Sequence, residues 1–199
     1  MDKDELVQKQ IEQLLNYFQN IVRLNKAEKQ MVLDFFKPRL FRKRHYILQE
    51  GDICKQFNFV VEGCLRLYKI DEKGNKHILQ FATENNWILD IGSFHTKKES
   101  ELNIDALEDT LVLQISYENL IQLYTNAPKF NLIFRVLIEN AHISLQKRLL
   151  QNISSNAQER YKEFLKQYSQ LSNRLPNTQI AAYLGITPEF LSQIRAKAN

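Results

Sequence analysis

The segment from Asn177 to Ala198 constrains the fold most strongly, because its small and apolar residues suit two short helices joined by a tight turn. Gly185 tolerates the positive φ that ends a first helix, and Ala181 is small where a second helix must cross closely. Thr187 suits a helix N-cap, and Pro188 suits the first helical position. The segment therefore predicts a helix-turn-helix over residues 177–198.

Polar side chains of this motif suit a nucleic acid. Gln193 can form hydrogen bonds with adenine, and Glu189 can accept a hydrogen bond from cytosine. Arg195 can donate hydrogen bonds to guanine or to a phosphate. Lys197 is suited to contact the DNA backbone. The free N–H groups at the start of the first helix are suited to bind a DNA phosphate. The predicted DNA-binding residues are Asn177, Thr178, Gln179, Thr187, Glu189, Ser192, Gln193, Arg195 and Lys197. A helix-turn-helix that binds protein and an ordinary helical hairpin are the alternatives.

The rest of the chain changes from helical to strand-like periodicity and back. Apolar residues recur at helical spacing over residues 4–18 and 26–36, which predicts two amphipathic helices. From Arg39 to about Ile115, turn residues separate short runs rich in Val, Ile, Phe and Tyr: HYIL, FNFVV, LRLYKI, HILQF and LVLQI. Strands of this length and spacing predict an antiparallel sandwich or barrel.

A long helix is predicted after the strands. Asn126-Ala127-Pro128 interrupts the helical pattern that begins at Tyr117, and the next helix extends to about residue 153 with an apolar stripe. Such a stripe is either a dimer seam or a contact with the helix's own domain. We predict a seam formed by Ile133, Leu137, Ala141 and Ser144. A further helix follows Ser154-Ser155-Asn156, so the predicted domains are residues 1–126, 127–153 and 154–199.

Composition argues against several classes of protein. No run in the 199 residues approaches the roughly 18 apolar residues of a membrane span, so we expect a cytoplasmic chain without a membrane partner. The net charge of +4 mildly favours a polyanionic partner. Cys54 and Cys64 lack the paired spacing of a metal site, so buried thiols are expected, with a thiol switch as the alternative. No catalytic triad, HxH pair or phosphate loop indicates an enzyme.

The order of these elements resembles the Crp/Fnr family, that of the cyclic-AMP receptor protein and the FNR regulators. The resemblance covers nearly the whole chain and includes ILQEGD, FNFVVEGCLRLYKIDEKGN and WILDIGSFHTKKESELNIDALEDTLVLQI. It implies an α+β fold: an N-terminal β-roll effector domain (a jelly-roll-like double-stranded β-helix), a long dimerisation helix and a C-terminal helix-turn-helix domain of winged-helix type. It also implies a bacterial transcriptional regulator, a homodimer on double-stranded DNA. Because the sequence ends just after the recognition helix, we expect little or no C-terminal wing.

The sequence departs from the resemblance at the effector site. Members that bind cyclic nucleotides have Gly-Glu for the ribose and Arg before a small hydroxyl residue for the cyclic phosphate. The matching positions here are Leu89-Asp90 and Ser100-Glu101. Asp90 can accept from a ribose hydroxyl, but Ser100 brings no positive charge and Glu101 repels phosphate, although Lys97 and Lys98 offer charge from the loop. We therefore expect no cyclic nucleotide at Asp90, Ser100 and Glu101.

Other cofactors of the family also lack ligands in this sequence. An iron-sulfur cluster needs about four cysteine ligands, and none precedes Cys54. The four histidines are scattered, so haem is not expected either. The effector is unassigned, and DNA binding without any small molecule is an alternative. An activator would also contact RNA polymerase, but no segment identifies a surface for it.

Overall fold

Eight strands form two four-stranded sheets in the computed structural model, which describes residues 3–198. The strands are β1 (Lys37–Phe41), β2 (Tyr46–Leu48), β3 (Gln56–Glu62), β4 (Leu65–Ile70), β5 (Lys76–Ala82), β6 (Trp87–Ile88), β7 (Asn103–Ala106) and β8 (Thr110–Ser116). One sheet has the order β1-β8-β3-β6 and the other β2-β7-β4-β5. Neighbouring strands such as β1 and β8, or β4 and β7, are antiparallel. Of the two predicted architectures, an antiparallel sandwich or a barrel, the structure shows the one with two sheets.

Helices precede, interrupt and follow the strands. They are α1 (Lys3–Gln19), α2 (Lys26–Phe35), α3 (Ile91–Thr96), α4 (Tyr117–Asn126), α5 (Lys129–Ser154), α6 (Ala157–Gln167), α7 (Leu171–Arg174), α8 (Asn177–Leu184) and α9 (Pro188–Ala198). The predicted opening helices correspond to α1 and α2, and the predicted long helix corresponds to α5. The described part of residues 154–198 forms α6 to α9 without a strand, and its winged-helix type stays a prediction.

The chain divides into two compact units. The first unit comprises Met1–Lys69 and Gln80–Leu137, and the second comprises Ile70–Leu79 and Ile138–Asn199. This division differs from the predicted boundaries, because the first turns of α5 belong to the core of the first unit.

Aromatic side chains fill the core of the first unit. The Phe18 ring of α1 lies 5.8 Å from that of Phe130 and 6.0 Å from that of Phe134, both on α5. Ile133 and Leu137 are buried in the same core, at 0% and 8% exposure. The structure thereby corrects the predicted dimer seam: these two residues contact their own chain, as expected for the alternative role of the stripe.

A polar contact fastens the start of α5 to α2. The Lys129 ammonium donates to the Glu28 carboxylate at 2.9 Å and to the Arg23 carbonyl at 3.0 Å. Glu28 also accepts from the Asn25 N–H at 2.7 Å in a capping box. Burial raises the pKa of Glu28, but hydrogen bonds from Asn25 and Lys129 outweigh it and hold the pKa below its usual range. Glu28 is therefore more easily ionised in the folded chain.

A buried ion pair links β4 to β7 in the first unit. Arg66 and Asp105 are opposite each other in the strand register, and two 2.6 Å hydrogen bonds join guanidinium and carboxylate. Each side chain is only 7% exposed. The Tyr68 hydroxyl also donates to Asp105, at 3.3 Å. Since each charge has a close partner, neither is left uncompensated away from water.

Candidate nucleic-acid interface and effector pocket

Helices α8 and α9 are joined by a short turn whose local chemistry agrees with the sequence prediction. Gly185 ends α8 in the left-handed region, at φ 67° and ψ 35°. The Ile186 N–H donates to the Ala181 carbonyl at 3.1 Å. The Thr187 hydroxyl oxygen accepts from the Phe190 N–H at 3.2 Å and caps α9, which begins at Pro188.

The inward faces of the two helices form one small core. Its buried side chains are Ile180, Ala181 and Leu184 on α8, with Leu191 and Ile194 on α9. Ala181 is 1% exposed, as expected for a small residue at a close crossing. This core fixes which side of α9 faces outward.

The outward side of α9 is polar. Glu189, Ser192, Gln193 and Lys197 are exposed, and so are Thr178 on α8 and Thr187 in the turn. Glu189, Gln193 and Lys197 form no hydrogen bond or ion pair with the part of the chain that the structure describes. These side chains are therefore available to a partner.

The Arg195 side chain has partners within the second unit. Its guanidinium donates to the Tyr161 hydroxyl at 2.9 Å, to Asn177 Oδ1 at 2.5 Å and to the Ser172 carbonyl at 3.1 Å. Both side chains thus bind within the second unit and tie α9 to α6, α7 and α8, and the predicted DNA contacts of Arg195 and Asn177 stay predictions. The sequence contains a signal for this, because Arg195 follows buried Leu191 by one helical turn.

Sequence reasoning missed two further arginines that hold α8. In the second unit, Arg148 of α5 donates to the Tyr183 carbonyl at 3.1 Å, and its guanidinium lies 4.0 Å from the Tyr183 ring centroid. The same side chain donates to the Ile78 carbonyl at 2.7 Å. Arg160 donates to the Leu184 carbonyl at 3.3 Å. Both arginines support α8 through backbone carbonyls, which helical periodicity does not reveal.

The predicted effector residues Asp90 and Ser100 bind each other. The Ser100 hydroxyl donates to the Asp90 carboxylate at 2.6 Å, and Ser100 is 3% exposed. The other oxygen of Asp90 accepts from the Ser93 N–H at 3.2 Å and caps α3. At the positions that match the ribose and phosphate contacts of the family, the polar groups therefore already have partners.

Glu101 lies outside this arrangement. It is exposed, and its carboxylate binds the Lys69 ammonium at 2.5 Å. The hydrogen bond and charge of Lys69 lower the pKa of Glu101. The structure thereby corrects the placement of Glu101 in the pocket. Lys97, considered as a replacement for the missing positive charge, instead pairs with Glu118 at 3.6 Å.

The two cysteines are free thiols inside the first unit. Cys54 and Cys64 are both buried, and burial raises the pKa of the Cys54 thiol. A raised pKa lowers the population of the reactive thiolate, so this environment favours the expected structural role of Cys54.

Within residues 3–198, no group of three or more His, Cys, Asp or Glu side chains is arranged to hold a metal ion. None of the helices in this range is both long and apolar enough to cross a membrane.

Comparison with known proteins assigns the strand-rich region. Residues 38–127 match the family model described as the cyclic nucleotide-binding domain. This region is similar to a cyclic nucleotide-binding domain. It contains Asp90 and Ser100, so the paired polar groups lie inside the matched region.

Two relatives that match most of this chain are regulators by name. Electron transport regulator A of Shewanella oneidensis is 26% identical over 177 residues, covering 82% of this chain and 68% of that protein. The fumarate and nitrate reduction regulatory protein of Vibrio cholerae is 27% identical over 176 residues, with the same two shares.

Solved structures share the fold. The c-di-GMP responsive global regulator CLP of Xanthomonas campestris is 15% identical with a TM-score of 0.71, covering 87% of this chain and 91% of that one. The fold is Crp-like and α+β, a cyclic nucleotide-binding-type β-sandwich with additional helices.

Proposed function

We propose that this chain is a sequence-specific DNA-binding transcriptional regulator of the Crp/Fnr type. The observation that carries the proposal is the outward side of α9, where Glu189, Gln193 and Lys197 are exposed without a partner among the described residues. The regulator names of the two relatives support the same function. Such a regulator acts where the DNA is, in the bacterial cytoplasm.

The proposed DNA contacts follow the geometry of the helix-turn-helix. The N-terminal half of a recognition helix faces base edges in the major groove, so Glu189 and Gln193 read bases and Ser192 adds a short polar contact. Lys197, farther along α9, contacts a phosphate. Thr178 and Gln179, at the start of α8, contact the DNA backbone through the helix N-terminus.

A second copy of the chain is proposed as the partner along α5. From Ile138 onward, α5 exposes a stripe at intervals of seven, four and four residues: Ile138, Leu145, Leu149 and Ile153, with exposures of 39%, 64%, 59% and 76%. This spacing is that of a two-helix seam. It replaces the predicted seam: exposed Ala141 lies on the side of the new stripe, three residues after Ile138, whereas exposed Ser144 lies on a different side of α5.

Homodimerisation can be tested with a charged pair in the stripe. Leu145→Asp with Leu149→Asp places carboxylates in the proposed seam and should give a monomer by sedimentation equilibrium. Ser144→Asp, which lies on a different side of α5, is the matched control and should remain dimeric. A dimeric double variant, or a monomeric control, would reject this seam.

The DNA-binding function is tested by selection from a pool of random duplexes. Purified protein should enrich one two-fold symmetric sequence, because two copies place two recognition helices about one DNA turn apart. A protein that enriches no sequence, but captures a protein partner through α9, would support the alternative of a protein-binding module instead.

The effector remains unassigned, and we propose that no cyclic nucleotide is needed. The Asp90–Ser100 hydrogen bond supports this proposal, because a ligand would have to break it, and because Ser100 occupies the position where the family resemblance implies an arginine for the phosphate. An effector of another class would act by shifting the population of conformations that place the two recognition helices correctly.

A further inference from the structure

Phe190 is an exposed aromatic residue in the first turn of α9. Its side chain is 45% exposed, whereas its neighbour Leu191 is 0% exposed and Ile194 is 4% exposed. Phe190 forms no ring stacking or cation–π contact with the described part of the chain. The small core of the second unit therefore does not require this aromatic ring.

Phe190 lies on the same side of α9 as two of the residues proposed to bind DNA. Gln193 and Lys197 follow it by three and seven residues, so the three side chains lie along one side of α9. The cap at Thr187 accepts from the Phe190 N–H at 3.2 Å and fixes the backbone there. The ring thus lies in the part of a recognition helix that is nearest to base edges.

The chemistry of the major groove indicates what such a ring contacts. Thymine alone among the four bases presents an apolar group there, the C5 methyl, and phenylalanine is one of the side chains that contact it. Gln193, with a polar amide, suits an adenine instead. We infer that Phe190 is a specificity-determining residue that contacts the methyl group of one thymine in each half-site; this inference rests on the proposed DNA-binding function.

The inference can be tested by removing the methyl group. The wild-type protein and Phe190→Ala are titrated with the duplex that the wild type selects from a random pool. Each thymine of one half-site is replaced in turn by deoxyuridine, which lacks only the methyl. At one position this replacement should lower the affinity of the wild type for the duplex about fourfold, the factor expected for burying one group the size of a CH₂.

Phe190→Ala should bind the thymine and deoxyuridine duplexes equally at that position. Phe190→Leu, which keeps an apolar side chain, should retain part of the thymine preference. Melting temperatures of both variants should match the wild type, because the ring is exposed.

The outcomes separate the two proposals. If Phe190→Ala keeps the same methyl preference as the wild type at every thymine, or if the wild type has none, this inference is overturned and the proposed function stands. If the wild type selects no DNA sequence at all, the proposed function and this inference are both overturned.

Discussion

In the first unit Ser100 donates to Asp90 and Arg66 pairs with Asp105, whereas α9 of the second unit exposes Glu189 and Gln193 without partners among the described residues. A buried polar group that is already hydrogen-bonded must break that bond to bind a ligand, and the free energy gained is correspondingly small. An exposed group exchanges only water. This difference is the basis of our proposal that the ligand is DNA rather than a cyclic nucleotide.

The largest expected effect is on stability, at the buried ion pair. Arg66→Ala removes the ion-pair partner of the Asp105 side chain, which is only 7% exposed, and should lower the free energy of unfolding by about 3 to 5 kcal/mol. Chemical denaturation measures this loss. Arg42→Ala is the control, because its pair with Asp109 is exposed, and should cost under about 1 kcal/mol. An equal loss in the free energy of unfolding for the two variants would contradict the expected difference between buried and exposed ion pairs.

The next effect concerns Arg195, which the structure assigns to positioning α9. Arg195→Met removes three hydrogen bonds within the second unit and should lower its free energy of unfolding by about 2 kcal/mol. Affinity should fall for every DNA sequence, with the order of preference unchanged. Gln193→Ala is the control: stability should stay the same while the preferred base changes at one position. Altered base preference in Arg195→Met would restore its direct reading role.

A smaller effect, dependent on pH, is expected at Glu28. Because the folded chain holds the pKa of Glu28 below its usual range, the stabilisation is present above the unfolded pKa and lost as the pH falls through the folded one. Glu28→Gln should lose about 1 kcal/mol at neutral pH, where the cap and the Lys129 pair contribute. Denaturation at several acidic pH values should show a flatter dependence for Glu28→Gln, and an unchanged slope would contradict this assignment.

The smallest expected effect is on DNA affinity, at the exposed residue Lys197. Lys197→Ala should weaken binding to all DNA sequences by a similar factor and reduce the slope of log affinity against log salt by about 1. Titrations at several salt concentrations measure that slope. A change in sequence preference would instead place Lys197 at a base edge.

Local patterns predicted much of the fold. The run LRLYKI is β4, and Gly185 with Thr187 marks the turn between α8 and α9, because the information lies within a few residues. The pattern of apolar and polar residues in the sequence did not predict β6, β7 or α3. β6 has only two residues, β7 is buried at every position, and α3 is a single short segment capped by Asp90.

The roles of individual site residues were harder to predict. Spacing placed Ile133 and Leu137 on one stripe of α5, but only the packed structure distinguishes a core contact from a seam. Similarly, Arg195 acts within the second unit because Tyr161 and Asn177, distant in sequence, meet it there. The Asp90–Ser100 pair also joins residues ten apart, through a loop whose path the sequence does not specify.

The most direct test of this account is the affinity of purified protein for its selected duplex, measured with and without cyclic AMP or cyclic GMP. We expect sequence-specific binding in the absence of nucleotide, with the same dissociation constant when either nucleotide is added. Binding that appears only when a cyclic nucleotide is present would contradict it.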